Sequence, residues 1–588
     1  FAQRIGRGGR KSGNAVDVTV ANGQPHDLYF FKDPPEMIAG DIDPPGVFLE
    51  AVEVLLRQFI AYCFDRWIQS GSREVPSGLS RLLNSFGDED VFPGPWLQFT
   101  QEHREALLED FVGLFGGGER LFHALQAEIE SESIRDRVKG KLKEVKTRRK
   151  DLNRQSRRLY RDIEDLKDEP ETEDRNERIE DLRQEKTALQ KMYRQIGEQN
   201  TYNFLTSAGL LPNYTFPESG VTLRSVLYSR GKDDQKGEVW SEEYVRPAAQ
   251  ALEDLAPGAT FYADGRAVEV DQIDLSGDEA IERWRFCDRC SNMVPAAEED
   301  ASRATCPECG SPTWSDQGQE RSLVKHSEVR ATTSNRKSWV DDPGEERRRD
   351  FFVTGLQPQI EDSDVKRAYR IDDEDLPFGF ELVEQATLRE VNFGDSQDRG
   401  ALRVGGKEIG AQGFLTCKAC GRVATGGDSI EHTRSCRAHQ QELASEATET
   451  LFLYREVSSE AVRVLLPETS FAGEPEKIQS FKAALELGLR EHYEGSVGHL
   501  KTEIYEGPGD EEIARRKYLL LFDTVPGGTG YLADLLRDES VLLEVLQKAL
   551  HVLEECPCAD EEGRDGCYRC LYAYRNHYDM PYTSRTVA

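Results

Sequence analysis

The sequence predicts a multidomain protein of mixed α/β and α+β class, with a helical region, small β-rich modules that include zinc ribbons, and a C-terminal α/β domain that also binds zinc. Three observations lead to this prediction. The 588 residues are enough for roughly three to five domains with separate cores. All but one of the 12 cysteines lie in three tight clusters, an arrangement typical of metal sites. Helical periodicity in the N-terminal part gives way to short β-like runs further along the chain.

Charge and hydropathy limit the functional classes. The net charge is -33, with 31% charged and 38% hydrophobic residues. This excess of negative charge excludes a surface that is basic all over, so nucleic acid would need a locally basic groove or arm. No stretch approaches the ~18 apolar residues of a membrane span, and clustered cysteines favour a reducing compartment. We therefore predict a cytoplasmic protein without a membrane partner.

The chain begins with a segment over 1–33 that contains the octamer QRIGRGGR and a strand-like run, AVDVTVAN. Two Pro-Pro pairs then precede a helical region over 34–124. The cysteine outside the clusters, Cys63, lies in the amphipathic pattern LLRQFIAYCFDRW. Its helical spacing predicts that it is buried as a small apolar side chain.

Residues 125–200 show a regular helical periodicity, because apolar positions recur there in alternating steps of three and four residues along two arms. The arms are separated by DEPETED, in which Pro170 ends the helix. This pattern predicts an antiparallel coiled-coil hairpin.

The first arm of this hairpin is strongly basic, with 13 Lys or Arg against three acidic residues between Arg135 and Arg161. Two interpretations remain open. The arm pairs with the acidic second arm, or it follows a DNA phosphate backbone. In the second case the predicted contacts are Arg148, Arg149, Arg157 and Arg158.

The remainder of the chain divides into a small β-rich region (201–285), a first zinc ribbon (286–312), a β-rich or linker region (313–413), a second zinc ribbon (414–442) and an α/β domain (443–588). The polar stretch 330–348 is predicted to be a loop or linker. The first ribbon has two CxxC pairs separated by fifteen residues, a spacing that predicts a four-thiolate zinc site. Its ligands are Cys287, Cys290, Cys306 and Cys309.

The second ribbon repeats this spacing with CKAC and CRAH, which predicts Cys417, Cys420, Cys436 and His439 as ligands. His432 is a competing fourth ligand. The third cluster predicts another zinc site formed by Cys556, Cys558, Cys567 and Cys570. Since four protein ligands leave no position open for water, we predict three structural zinc ions without catalytic chemistry.

The opening octamer resembles motif VI of superfamily 2 helicases, which lies on the second RecA-like lobe. The resemblance implies that 1–33 are the end of such a lobe. It also implies that Arg7 and Arg10 are arginine fingers that reach the γ-phosphate of ATP, and that Gln3 takes part in the nucleotide site. Guanidinium groups placed there would stabilise the charge that develops in phosphoryl transfer.

Three C-terminal stretches, FDTVPGGTGYLADLL, the CxC cluster and GCYRCLYAYRN, resemble the zinc-binding domain of MrfA-like helicases. YNFLTSAGLLPNYTFP and LAPGATFYADGRAVEV are similar to segments of large anti-phage defence helicases of the Druantia and DISARM type. The resemblance implies that ATP and magnesium bind a first RecA-like lobe, which is encoded in the same gene or an adjacent one. It also implies DNA, and further defence subunits, as partners.

Within these residues no GxxxxGK[ST] loop or DExH box is found, and GGTG at 527–530 has no lysine after it. This turn is interpreted as a strand-to-helix connection or as a phosphate site. Tyr568 and Arg569 place an aromatic ring next to a cation in the sequence, which predicts either contact with single-stranded DNA or packing around zinc.

The leading hypothesis is therefore the C-terminal portion of an ATP-dependent DNA helicase or translocase, inactive without its first lobe, in anti-phage defence or DNA repair. The alternative is a non-catalytic, zinc-containing DNA-binding or assembly subunit.

Overall fold

The structure, a computed structural model, describes Val18, Val20, Phe31, Pro34 and most of residues 52–588. The gaps after 52 are 72–73, 115–122, 213–219, 229–238, 276–279, 335–337, 340–351, 372–377, 396–401, 425–428, 433–435, 437–446, 467–474, 494–496, 509–514, 561–564, 568–569 and 572–581, with five further positions between 124 and 132. The predicted segment 1–33 thus lies almost entirely outside the described residues.

The chain divides into two compact units. The larger consists of Leu49–Gln359 and Thr387–Val457, and the smaller of Phe1–Phe48, Ile360–Ala386 and Ser458–Ala588. Helices and several sheets form a mixed α/β architecture, which confirms the coarse fold class. The supercoiled hairpin, the RecA-like lobe and the bounds of the eight segments stay predictions.

The larger unit begins with helices, which are α1 (Val52–Gln69), α2 (Leu79–Ser85), α3 (Gly94–Glu102), α4 (Arg104–Leu114), α5 (Ile134–Lys167), α6 (Glu173–Glu198) and α7 (Thr201–Ser207). Their aliphatic and aromatic side chains share one core, in which Phe59, Cys63 and Trp96 are fully buried. Cys63 packs as the small apolar residue that its sequence pattern predicts. Burial raises the pKa of its thiol, so the thiol stays neutral.

The helices α5 and α6 are 34 and 26 residues long and pack against each other. Ser133 and Thr172 cap them by accepting hydrogen bonds from backbone N–H groups of the first turn. Pro170 lies in the short connection, where helix cannot continue. Most buried positions are three or four residues apart or are separated by sums of these steps. They include Leu142, Leu152, Ser156, Leu159, Ile163 and Leu166 on α5, and Ile179, Leu182, Leu189, Met192 and Ile196 on α6.

A four-stranded sheet follows, with the order β2-β1-β9-β5. Its strands are β1 (Gly220–Tyr228), β2 (Val239–Pro247), β5 (Gln272–Ile273) and β9 (Glu328–Ser334). β1 is antiparallel to β2 and parallel to β9. Helix α8 (Ala248–Asp254) and the hairpin of β3 (Thr260–Ala263) and β4 (Arg266–Glu269) share its apolar core. Pairing with β1 makes the start of the predicted 330–348 loop a strand, up to Ser334.

A second sheet in the larger unit carries the first two cysteine clusters. Its strands are β6 (Glu282–Phe286), β7 (Met293–Pro295), β8 (Glu320–Lys325), β10 (Phe352–Gln359) and β15 (Phe414–Cys417), with parts of β12 (Gly379–Asp395) and β16 (Thr448–Leu465). β6 pairs with β7 and β8, β10 pairs with β12, and β16 pairs with β15 and β8. The short hairpin of β13 (Leu402–Val404) and β14 (Lys407–Ile409) contributes to the same core.

The smaller unit contains β11 (Val365–Arg370), the remaining parts of β12 and β16, β17 (Leu500–Pro508) and β18 (Arg515–Asp523). Its helices are α9 (Pro475–His492), α10 (Tyr531–Leu535) and α11 (Glu539–Glu555). α9 packs closely on α11 at Gly488, where a Cβ atom would clash with the carbonyl oxygen of Val545. The third cysteine cluster starts where α11 ends. Among the described helices, none combines the length and the apolar composition that crossing a bilayer requires.

Candidate metal centres

The first cysteine tetrad joins two CxxC turns. Cys287 follows β6 directly and Cys290 lies in the turn to β7, whereas Cys306 and Cys309 lie between β7 and β8. The Sγ atoms of Cys287 and Cys309 are 3.5 Å apart, and those of Cys290 and Cys306 are 3.7 Å apart. The first three cysteines are buried and Cys309 is half-buried. The fold therefore brings the four predicted thiols together.

Asp288 connects the two turns of this tetrad. Its carboxylate accepts hydrogen bonds from the hydroxyl groups of Ser311 at 2.8 Å and Thr313 at 2.6 Å. Partial burial alone would raise the pKa of Asp288, but the hydrogen bonds from Thr313 and Ser311 outweigh it and hold the pKa below its ordinary value. The carboxylate thus stays charged, and it fixes the second turn relative to the first.

Two N–H groups also donate to the sulfur atoms. The backbone N–H of Arg289 lies 3.4 Å from Sγ of Cys287, and the side-chain amide of Asn292 lies 3.5 Å from Sγ of Cys306. Zinc binds thiolates, and hydrogen bonds of this kind stabilise the deprotonated sulfur. The surroundings of the tetrad therefore suit a thiolate site.

The second tetrad consists of Cys417, Cys420, Cys436 and His432. Nδ1 of His432 lies 3.7 Å from Sγ of Cys420 and 3.6 Å from Sγ of Cys436. His439, the fourth ligand that we predicted, lies outside the described residues. The structure thus brings the competing histidine to the site. Zinc requires four donor atoms around one point, and repetition of the CxxC spacing is not needed for that.

Substitution of each histidine in turn distinguishes His432 from His439 as the fourth zinc ligand. In His432→Ala we expect the zinc content to fall from three ions per chain to two, because a three-ligand site binds zinc far more weakly. His439→Ala should retain three ions, and His432→Cys should restore the third ion lost in His432→Ala. Zinc is counted by elemental analysis after dialysis against a weak chelator. Loss of an ion in His439→Ala with full content in His432→Ala would contradict the assignment.

The third tetrad follows α11, and all four of its cysteines are buried. Sγ of Cys556 lies 3.5 Å from Sγ of Cys567, and Sγ of Cys558 lies 3.6 Å from Sγ of Cys570. Burial, together with the neighbouring Cys556, raises the pKa of the Cys558 thiol to about 11. A cation is therefore needed to hold four thiolates here at neutral pH.

The geometry of all three tetrads fits zinc. Four sulfur ligands at about 2.3 Å from one ion lie about 3.8 Å from each other. Seven pairs of sulfur atoms in the tetrads lie 3.4–3.7 Å apart, well beyond the ~2.05 Å of a disulfide. The ligand atoms of each tetrad all lie within 4.8 Å of one another. The tetrads therefore fit three structural zinc ions, each with a complete set of protein ligands.

Arg148, a predicted DNA contact, is held inside the larger unit. Its guanidinium pairs with the carboxylate of Glu328 and lies 4.0 Å from that of Asp274. Arg224 and Arg330 share these carboxylates. Burial lowers the pKa of Arg148 to about 9, with Arg224 adding to the effect. This placement corrects the prediction, because a guanidinium buried against two carboxylates presents no surface to a phosphate.

Arg149 also faces the protein. Its guanidinium donates to the hydroxyl of Ser80 at 2.9 Å and lies over the ring of Tyr193, 4.3 Å from the centroid. The prediction that Arg149 contacts DNA is corrected, because Ser80 and Tyr193 hold its guanidinium against the protein. Arg157 is exposed and Arg158 is half-buried, so their role as DNA contacts stays a prediction. The remaining predicted residues, which are Gln3, Arg7, Arg10, Tyr568 and Arg569, lie outside the described residues.

The turn after β18 is built around the fully buried carboxylate of Asp523. This group accepts hydrogen bonds from the backbone N–H of Val525 at 2.8 Å and of Thr529 at 2.7 Å. Gly527 and Gly528 have φ angles of 78° and 80°, which other residues rarely adopt. Asp523 thus occupies N–H groups that a phosphate would require, and the turn connects strand to helix. Its place directly before the turn was the signal that sequence reasoning missed.

The smaller unit contains a known type of zinc domain. Residues 481–571 match the family described as the MrfA Zn-binding domain, and this range includes all four cysteines of the third tetrad. The match confirms that the C-terminal part of the chain is similar to the zinc-binding domain of MrfA-like helicases, as its motifs implied.

The chain as a whole is similar to the Druantia protein DruE of Escherichia coli (strain UMEA 4076-1). The two are 22% identical over 662 residues, which cover 98% of this chain and 31% of DruE. The chain thus spans about a third of the length of this relative. Among solved structures, the crystal structure of the DUF1998 helicase MrfA bound to DNA matches 69% of this chain and 42% of that chain, with a TM-score of 0.26 and 10% identity.

Proposed function

We propose that this chain is the C-terminal portion of an ATP-dependent DNA helicase or translocase that acts in anti-phage defence. The observation that supports the proposal is an MrfA Zn-binding domain within a chain that is similar over 98% of its length to a Druantia protein. Similarity along the whole chain favours defence over DNA repair, because it extends well beyond the zinc domain.

In this function the three zinc ions stabilise the accessory domains and take no part in the reaction. ATP and magnesium bind a first RecA-like lobe that is encoded in the same gene or an adjacent one. Arg7 and Arg10 reach across to the γ-phosphate, and Gln3 assists in the nucleotide site. Closure of the two lobes on ATP and opening after hydrolysis would then move the protein along DNA. Because ATP and magnesium bind the first lobe in this proposal, the present chain alone is not an ATPase.

The arginine assignment is tested in the full-length protein. Arg7→Ala and Arg10→Ala should each lower kcat of the DNA-stimulated ATPase by about 10³-fold, the lower end for an arginine finger, and should keep three zinc ions. Arg537→Ala is the matched control, since it removes an exposed guanidinium (side chain 68% exposed) and should keep full turnover. Turnover that survives both N-terminal substitutions would remove the arginine-finger role.

The alternative function, a non-catalytic DNA-binding or assembly subunit, is supported by the three metal sites, because each has a complete set of protein ligands. The same experiment separates the two. DNA binding by the full-length protein without any DNA-stimulated ATP hydrolysis, when the product of the adjacent gene is also supplied, would establish the alternative.

A further inference from the structure

The face of α5 that points away from its packed seam carries a row of cations. Lys143, Lys150, Arg154, Arg157 and Arg161 are all exposed. Consecutive members are seven, four, three and four residues apart. With 3.6 residues per turn, this spacing places all five within an arc of about 60° around the helix. These five residues are called the basic stripe below.

The packed side of the helix lies opposite this arc. Leu152, Leu159 and Ile163 are buried against the rest of the helical region, and the helical period places them about 160–180° around from Lys143. The basic stripe therefore faces away from the core, in contrast to Arg148 and Arg149. None of the described residues buries these five side chains, so this face is a surface on which a partner could bind.

The stripe has a single sign of charge. Two acidic residues lie within the same stretch, Glu144 and Asp151, and both are about 80–100° around the helix from the stripe. Asp151 forms an ion pair with Arg154 from that side. A row of five cations in a protein with a net charge of -33 is a local reversal of the electrostatic potential, which attracts polyanions.

The length of the stripe also fits a continuous polyanion. Eighteen residues separate Lys143 from Arg161, and a rise of 1.5 Å per residue makes the row about 27 Å long. B-form DNA rises about 3.4 Å per base pair, so the row spans about eight base pairs of duplex. A helix of 34 residues holds these charges in a straight line without further loss of backbone entropy on binding.

We propose that the basic stripe of α5 binds the phosphate backbone of DNA. The proposal rests on the proposed function in that DNA is the partner, but it concerns binding alone and requires no ATP. Contacts to phosphates carry no base specificity, so the stripe would hold any DNA sequence beside the motor. The proposed DNA contacts are therefore Lys143, Lys150, Arg154 and Arg161, together with Arg157 from the sequence-based prediction. Arg148 and Arg149 are no longer among them.

The test neutralises Lys150, Arg157 and Arg161 to Gln together in the zinc-loaded full chain. Binding to labelled duplex and single-stranded DNA of about 30 nucleotides is measured by anisotropy between about 50 and 200 mM salt. Each lost phosphate contact lowers the slope of log K against log[salt] by about 0.9 for duplex and 0.7 for single strands. We therefore expect the slope to fall by about 3 for duplex or about 2 for single-stranded DNA, with weaker binding at low salt.

The control variant neutralises three exposed cations elsewhere, which are Arg283, Lys366 and Arg537, with side chains 54%, 52% and 68% exposed. It changes the net charge equally and should keep the slope of the unmodified chain. Helicity and zinc content should be unaltered in both variants.

The outcomes distinguish the stripe from the proposed function. If the unmodified chain binds DNA and the stripe variant keeps its affinity and slope, the stripe proposal is overturned and the proposed function stands. An equal loss in the control variant also overturns it, because the effect is then one of net charge. If the unmodified chain does not bind DNA at low salt, the result contradicts both the stripe proposal and the proposed function, because DNA is the partner in each.

Discussion

Removal of zinc is expected to unfold the regions around the three tetrads, and Cys570→Ser is expected to do this in the C-terminal domain alone. Structural zinc contributes about 10 kcal/mol or more of apparent folding free energy at neutral pH, which is comparable with the whole stability of a typical domain. The four thiols of the third tetrad are buried next to apolar residues such as Ala483 and Leu553. Without the ion this cluster would bury four polar groups that have lost their common partner.

The measurement for Cys570→Ser combines elemental analysis with limited proteolysis. Zinc should fall from three ions per chain to two, and new cleavage sites should arise in the part of the chain after Ser458. The matched control is Cys63→Ala, which also removes a buried thiol but lies outside the clusters. It should keep all three ions, with a loss of about 1 kcal/mol of stability from the small cavity. Retention of three ions in Cys570→Ser would contradict the site.

The cysteine clusters were predictable because a CxxC turn is local, and two thiols on one turn face the same point whatever surrounds them. The choice between His432 and His439 was not predictable in this way. It depends on how the loop between Cys420 and Cys436 folds back, and sequence spacing does not determine that path. The MrfA-like domain was predictable for a similar reason, since its motifs lie close together in the chain.

The orientation of the arginines on α5 could not be predicted from the sequence. Helical periodicity identified α5, and counting charges identified its excess of cations. Neither indicates which cations turn inward, because the partners of Arg148 are Glu328 and Asp274, far away in sequence on the β-sheet side of the unit. The helical period places the basic stripe opposite the apolar seam. Only the fold shows that Arg148 and Arg149 have partners inside the protein.

The same contacts predict that Arg148→Ala destabilises the larger unit by about 3 kcal/mol, near the lower end for breaking a buried ion pair. The lower end applies because Glu328 keeps Arg224, whose Nε lies 3.0 Å from it. Denaturant unfolding followed by circular dichroism should therefore show a shifted midpoint. We expect the salt slope of DNA binding to remain that of the unmodified chain, because Arg148 is turned away from the basic stripe.

Lys150→Ala, two residues further along the same helix, is the matched comparison and should behave in the opposite way. Its side chain is exposed, so stability should change by less than about 0.5 kcal/mol. Removal of this side chain should lower the slope of log K against log[salt] by about 0.9 for duplex DNA, which is the value for one phosphate contact. If Arg148→Ala instead left stability unchanged and lowered the slope, Arg148 would contact DNA and α5 would be rotated from the orientation described. The pair of variants thus tests which face of one helix packs on the protein and which face binds DNA.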